Sequence, residues 1–401
     1  MRKTLIIGNG FDLHCGLDSR YSDYFNNKFT EEITIFLDSL KEEFWQEISI
    51  LTRRGISSDT IFPHIYFVPV NTRGEYENLF SVAPFDTTAP TPKGLESLSF
   101  WDLLFYFLKD EIPNEWNNIE SRIKHFVSDE ILLNSCFRVN YDCNIYNLIS
   151  STFFAYFDND RFLLFDDEIS FLINELSILE KDFSKYLSQN LESKKNYISN
   201  SINLADKLLD IEGHSQSYYV NILNFNYTNP FHSKHIDKHY SKTGISYQSV
   251  YLSTKNIHGT LDSQDTIFGI DPKNVRTKDK SFLFTKTYRQ LIGNISKNSN
   301  NLDFLPDNNE VIFYGHSLSS SDYSYFEAIF DKLNLYDSNT HLIFKYTPFD
   351  STNSAQISLD YVDRITKLLE EYASTLSNKD HKENLVSRLL LENRITIQEV
   401  S

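Results

Sequence analysis

Glycine is scarce in this chain: 12 of 401 residues, roughly 3% against a usual ~7%. Between Gly94 and Gly213 there is none, and the only proline there is Pro113. A stretch so poor in turn-forming residues is expected to be mostly helical. The three cysteines, Cys15, Cys136 and Cys143, are an odd number without CxxC spacing. No disulfide framework and no metal site are expected, and a reducing compartment, the cytoplasm, follows. No apolar run approaches the ~18–20 residues that span a bilayer. The longest, Phe100–Leu108, is interrupted by Asp102, and Leu5-Ile6-Ile7 is too short for a secretory signal. No membrane partner is therefore expected. Basic residues are outnumbered 38 to 55, a formal charge of −17. This disfavours nucleic-acid binding through many phosphate contacts and a polybasic membrane surface.

What is abundant is apolar and aromatic. Hydrophobic residues make up 40%, with 32 Phe and 24 Tyr, enough for a sizeable core. Phe165, Ile169, Leu172, Leu176, Leu179, Phe183 and Leu187 recur at helical spacing, and their simplest role is core packing. Both ends of the chain read differently. Lys3–Ile7, Tyr218–Phe225, Val250–Ile257, Thr266–Ile270, Glu310–Tyr314 and His341–Tyr346 are short, β-branched and aromatic runs bounded by Gly, Asn, Asp or Pro. Helical segments such as Tyr323–Leu333 separate some of them. Strands alternating with helices predict an α/β fold with a parallel, Rossmann-like sheet. Its expected core is 1–25 and 216–350, with a large helical insertion over 26–215 and a helical C-terminal tail over 351–401 that contains Ile357–Tyr372. Ser81–Ser97 reads as a loop.

Polar clusters follow five of the predicted strands, where open parallel sheets bind ligands. The first is Gly8-Asn9-Gly10-Phe11-Asp12-Leu13. Its glycines suit close approach of backbone to phosphate. Leu13 replaces the third glycine of GxGxxG, so a nicotinamide dehydrogenase is not expected. A plain strand-to-helix turn capped by Asn9 or Asp12 explains it equally well. Asn224-Phe225-Asn226-Tyr227-Thr228 offers amides that hold a ribose hydroxyl or orient a water; an Asx turn before Pro230 is the plainer reading. His258-Gly259 supplies a candidate general base. Asp271 follows the fourth run. Gly315-His316-Ser317 through Asp322 precedes a helix and offers hydroxyls to an anion, or merely a cap. His232, His235 and His239 stand at helical spacing without an HExxH glutamate and read as a solvated face.

These motifs, in this order, resemble a known family. IIGNGFDLHCGL, Tyr21, Tyr24-Phe25, NEWNNIE, NFNYT, IHGT, FGID and YGHSLSSSDYSYF together are similar to the AbiH family of bacterial phage abortive infection proteins. The order also resembles, more loosely, the NAD-binding core of sirtuin-like domains. That resemblance implies NAD as substrate, with Gly8, Asn9, Gly10 and Phe11 near the pyrophosphate. Asn226 then positions the nicotinamide ribose or water, and His258 is the base. Gly315, His316 and Ser317 lie on the adenosine side, with Thr228 and Gly259 at the same rim. The chemistry of that cleavage leaves Asp12, Asp271 or Asp322 to stabilise the developing cation; Glu120 either reaches back from the insertion or is a plain helix-surface carboxylate. Thr228 replaces the aspartate of the sirtuin motif, Asn9 replaces an alanine, and zinc-binding cysteines are lacking, which argues against deacetylation. The implied function is a phage-defence effector that binds and hydrolyses NAD without a metal. The alternatives are a non-catalytic nucleotide sensor or a nuclease. A phage-derived trigger and a homo-oligomer stay open as partners.

Overall fold

The apolar runs at the two ends of the chain pair with one another, although some 200 residues separate the first from the second. The computed structural model describes residues 2–54, 90–109, 119–129, 145–157, 167–210, 218–232, 250–294, 310–348 and 354–400. Residues 81–89 of the expected loop, Pro113, Trp116 to Asn118, Cys136, Cys143, Phe165, His235 and His239 lie outside the described residues. In chain order the elements are β1 (Arg2–Ile7), α1 (Asn9–His14), α2 (Tyr21–Lys28), α3 (Glu31–Arg53), α4 (Phe100–Leu108), α5 (Ile119–Ser128), α6 (Ile145–Tyr156), α7 (Glu168–Ser193), α8 (Tyr197–Leu208), β2 (Tyr218–Asn224), β3 (Val250–Asn256), α9 (Lys286–Asn294), β4 (Glu310–Tyr314), α10 (Tyr323–Lys332), β5 (His341–Tyr346), α11 (Ser354–Thr375), α12 (Lys379–Leu391) and β6 (Ile395–Glu399).

Six strands form one sheet in the order β3-β2-β1-β4-β5-β6, and every pairing is parallel. Helices cover both faces, which is why β1 and β4 read as near-continuous apolar runs. On one face Ile6, Phe313 and Phe344 pack with α10, α11 and α12. On the other, Leu5, Ile7, Val220 and Ile222 pack with Phe11 and with Tyr197, Leu204 and Leu208 of α8. So α8, although inside 26–215, packs on the sheet. Helices α3 to α7 share an aromatic core of their own, built on Phe44, Phe100, Trp101, Phe105, Phe126 and Phe183. Tyr227, Phe268 and Phe284, from the segments that follow β2 and β3, join it.

Two expectations need correction. Thr266–Ile270 is not a strand: Ile270 makes only an isolated bridge to Thr285. Its backbone is satisfied elsewhere, Phe268 N–H by Glu180 Oε1 at 2.6 Å and Ile270 N–H by Phe284 O at 3.0 Å. The tail is not all helical, because β6 closes the sheet beside β5. As a short edge strand with exposed positions, it lacks the apolar run that marks a buried one.

The register aligns the strand ends. Ile7 pairs with Asn224 and with Tyr314, and Asn224 with Asn256. Asn9, Asn226, His258 and His316 each stand two residues further on, so they emerge side by side at one rim. At this point the turns after β1 and β4 interlock. Gly10 N–H donates to Gly315 O at 2.7 Å, and Gly8 N–H to Tyr314 O at 3.2 Å. A Cβ on Gly10 would lie 2.7 Å from Gly315 Cα; one on Gly315, whose φ is +68°, would lie 2.3 Å from Phe11 N. Backbone against backbone cannot yield as a side chain does. We therefore expect Gly315→Ala to destabilise the protein by about 2–4 kcal/mol, from overpacking plus left-handed strain. Gly293→Ala in α9, where a Cβ meets nothing within 4 Å, should leave the melting temperature unchanged or slightly higher. Thermal melts of the two variants check this.

Candidate functional site

A cavity of about 600 Å³ opens over the carboxyl ends of the strands, within the ~300–1,000 Å³ usual for ligand pockets. It lies where the strand order reverses between β1 and β4. In doubly wound sheets this switch point is where the crevice for a ligand forms. Gly8, Asn9, Gly10 and Asp12 line it after β1, Asn226 after β2 and His258 after β3. Gly315, His316, Ser317 and Asp322 line it after β4. Aromatic side chains from both parts of the chain, Tyr21, Phe183, Phe225 and Tyr227, complete the wall, and Arg20, Lys345 and Arg364 are its lining cations.

Behind this wall sits a lysine with no distinguishing local motif. Lys286, the first residue of α9, is 1% exposed. Its ammonium lies 2.6 Å from Asp322 Oδ1 and 2.9 Å from Glu120 Oε1, and donates to Ser321 O at 3.0 Å. Burial alone would strip its proton, but the two carboxylates outweigh burial and raise its pKa. Burial also opposes ionisation of Asp322, yet Lys286 and His258 hold its carboxyl well below the usual range. Glu120 fares differently: burial, with the Asp322 charge added and Lys286 opposing, pushes it up to about 7. Glu120 comes from α5, so the helical insertion contributes directly to the cavity wall.

His258 is 6% exposed, and burial followed by the Lys286 charge lowers its pKa, so the ring is neutral near pH 7. Its Nε2 is buried and lies 3.1 Å from Asp322 Oδ1, in contact but without an aligned hydrogen bond. His316 is oriented from behind: its Nδ1 accepts from Leu318 N–H at 2.9 Å, which fixes the proton on Nε2, 3.5 Å from Asp322 Oδ2. Phe225 packs edge-on against both rings, with centroids at 5.4 Å and 4.7 Å.

A second network holds Asp12 and Asn226. Asp12 Oδ1 accepts from Tyr197 OH at 2.7 Å and from Asn226 Nδ2 at 3.2 Å, and Oδ2 accepts from Thr228 Oγ1 at 2.9 Å. Asn226 Nδ2 also donates to Gly8 O at 3.1 Å. Asn224 Oδ1 takes the Asn226 N–H at 2.9 Å, and Asn224 Nδ2 donates to Thr228 O at 2.7 Å. The NFNYT segment is therefore an Asx turn whose second asparagine faces the cavity. Complete burial pushes Asp12 up to about 7, against the lowering by its three hydrogen-bond donors.

Several expected contacts lie elsewhere. Asp271 does not line the cavity, since Thr266–Ile270 is not a sheet strand and does not bring it to the rim. Its Oδ1 accepts from Lys273 N–H at 2.7 Å and its Oδ2 from Ser324 N–H at 2.9 Å, tying the connection after β3 to α10. Phe11 is core, against Phe231 and Tyr314. Gly259 is set by its turn, with φ +85° and Asp265 O where a Cβ would be. Thr228 reaches the site only through Asp12. Gly10 and Phe11 N–H groups are engaged by Gly315 O at 2.7 Å and Gly8 O at 2.8 Å. The glycine turn thus spends these donors on the fold, not on a phosphate. Asn9 Oδ1 accepts from Ser19 Oγ. Cys15 is buried and His232 exposed. No helix among the described residues is long and apolar enough to cross a membrane.

Strand order 3-2-1-4-5-6, parallel throughout, with titratable groups converging on a cavity at the switch point, defines a Rossmann-like α/β protein. Over residues 4–346 the chain matches the family described as Bacteriophage abortive infection AbiH. It belongs to the AbiH family, and its role is in phage abortive infection. No curated protein and no solved structure matches it.

Two outcomes follow from these geometries. Lys286→Met leaves Asp322 and Glu120 facing one another without a cation, and should cost about 3–5 kcal/mol at pH 7.5, read by denaturant unfolding. The folded protein keeps the Asp12 proton at pH values where the unfolded chain, with its carboxyl near 3.8, has released it. The neutral carboxyl therefore stabilises fully below that value, and its contribution declines as pH rises through about 7. Asp12→Asn should flatten the decline between those limits by up to ~1.4 kcal/mol per pH unit. Parallel stability–pH curves for the two proteins would contradict this.

Proposed function

We propose that the cavity binds NAD and hydrolyses its nicotinamide–ribose bond, and that this depletion of NAD is how the protein acts in abortive infection. The observation that carries the reading is the convergence of a neutral His258, its Nε2 3.1 Å from Asp322, and an amide, Asn226, on one cavity at the switch point. Cleavage of this bond asks little of a protein. The electron pair of the C1′–N bond passes to the pyridinium nitrogen, so nicotinamide leaves neutral without an acid. Positive charge develops on the ribose, in an oxocarbenium-like transition state. The ionised Asp322 supplies the countercharge. Water adds to C1′ and its proton passes to the His258–Asp322 pair, whose Nε2 and Oδ1 lie 3.1 Å apart. Asn226 has its amide hydrogens directed at Gly8 O and Asp12 Oδ1, so its Oδ1 is the acceptor offered to a ribose hydroxyl or the water. Asp12 acts through Asn226, by orienting it.

One observation favours a second reading, nucleotide sensing without turnover: Glu120 carries the insertion into the cavity wall, so ligand arrival is felt by the helices. Nicotinamide release from NAD by the purified chain, alone and with lysate of phage-infected cells, separates the two. Hydrolysis expects release, with His258→Ala slowing it 10²–10⁴-fold while ADP-ribose affinity is largely kept. Absence of release under both conditions refutes hydrolysis, and sensing then expects His258→Ala or Asn226→Ala to lower that affinity.

A further inference from the structure

The cavity has another end, away from His258. It runs past the β4 turn under the carboxyl end of β5, where Tyr346, Thr347, Ile357, Asp360, Tyr361 and Arg364 line it. Tyr361 and Arg364 stand three residues apart on α11 and so share a face. Tyr361 is 9% exposed, and its hydroxyl is buried without a hydrogen-bond partner. Its ring is held by Phe344 and Tyr346, with centroids at 6.5 Å and 5.6 Å, so the hydroxyl has a fixed position. A buried hydroxyl left unpaired costs about 1–3 kcal/mol, a cost a ligand acceptor would remove.

Arg364 is exposed, and among the described residues its guanidinium makes no ion pair. Of the carboxylates beside it on α11, Asp363 pairs with Lys367 at 2.7 Å, while Asp360, which also lines the cavity, accepts from the neutral Gln356 Nε2 at 2.8 Å. Lys345 is tied to Leu208 O at 2.8 Å and to Asp210 at 3.1 Å. In a chain of net charge −17, an arginine kept out of ion pairs at a cavity wall fits an anion. With Gly10 and Phe11 N–H groups already engaged, side-chain donors gain weight in holding a phosphate.

We propose that Tyr361 and Arg364 form the phosphate-recognition end of the cavity, which makes its ligand an anionic nucleotide lying between them and His258. This deepens the nucleotide reading above and rests on it. Guanidinium and phosphate match in planar, two-pronged geometry, and the tyrosine hydroxyl adds a donor. Both residues lie on α11, beyond the 4–346 segment that matches the family.

Calorimetric titration of the full chain with ADP-ribose, adenosine and inorganic pyrophosphate tests this, beside Arg364→Gln and Tyr361→Phe. ADP-ribose should bind at least about 10-fold tighter than adenosine. Arg364→Gln should erase most of that advantage, leave adenosine unchanged and keep the wild-type melting temperature. Tyr361→Phe should weaken ADP-ribose about 3–10-fold. Equal affinity for adenosine and ADP-ribose, no binding of any phosphate probe, or an unaltered Arg364→Gln protein each overturns the proposal. The two readings fail separately. ADP-ribose held through Arg364 without nicotinamide release from NAD refutes hydrolysis and leaves the subsite standing. Hydrolysis by Arg364→Gln with unchanged KM does the reverse.

Discussion

The site depends on one buried ammonium. A lysine with 1% of its surface exposed is unfavourable by several kcal/mol unless its charge is matched. Lys286 is matched from two directions, by Asp322 at the start of α10 and by Glu120 in α5. These carboxylates are about 200 residues apart in sequence, one in the sheet's own helices and one in the insertion. The pair of attachments therefore fixes the insertion against the rim of the sheet. It also sorts the charges. Asp322 stays ionised, His258 stays neutral and Glu120 is left near the point where it gains or loses a proton. Opposite behaviour in adjoining groups is what acid–base chemistry needs.

The interlocked glycine turns are the second constraint, and they change how the first motif is understood. Gly8, Gly10 and Gly315 line the cavity, yet their lack of side chains is required by backbone packing between the β1 and β4 turns. Gly10 N–H serves that packing, and Phe11 N–H closes the first turn on Gly8 O. The motif therefore shapes the switch point.

Much of this was legible from residue patterns. The strands β1 to β5 carry enough β-branched and aromatic residues to stand out, and the parallel sheet follows from their alternation with helices. Asn226, His258 and His316 were found because parallel register carries the residue two past each strand end to the same place. Asp271 was misplaced for the same reason: Thr266–Ile270 has a strand's composition, but Glu180 and Phe284 take its hydrogen bonds. The strand β6 was missed because an exposed edge strand has no apolar signature. Lys286 had no signal at all, since nothing local distinguishes a lysine that will meet carboxylates from distant segments. Arg364 and Tyr361 look like ordinary positions of an amphipathic helix until α11 is packed beside β5.

The central claim is that this cavity is a nucleotide site with its reacting end at His258. A crystal structure of the protein with ADP-ribose bound tests it most directly. The account expects the ribose C1′ within hydrogen-bonding distance, through one water, of His258 Nε2, and the phosphates toward α11. Ligand density confined to another surface, or an empty cavity at saturating ADP-ribose, would contradict it.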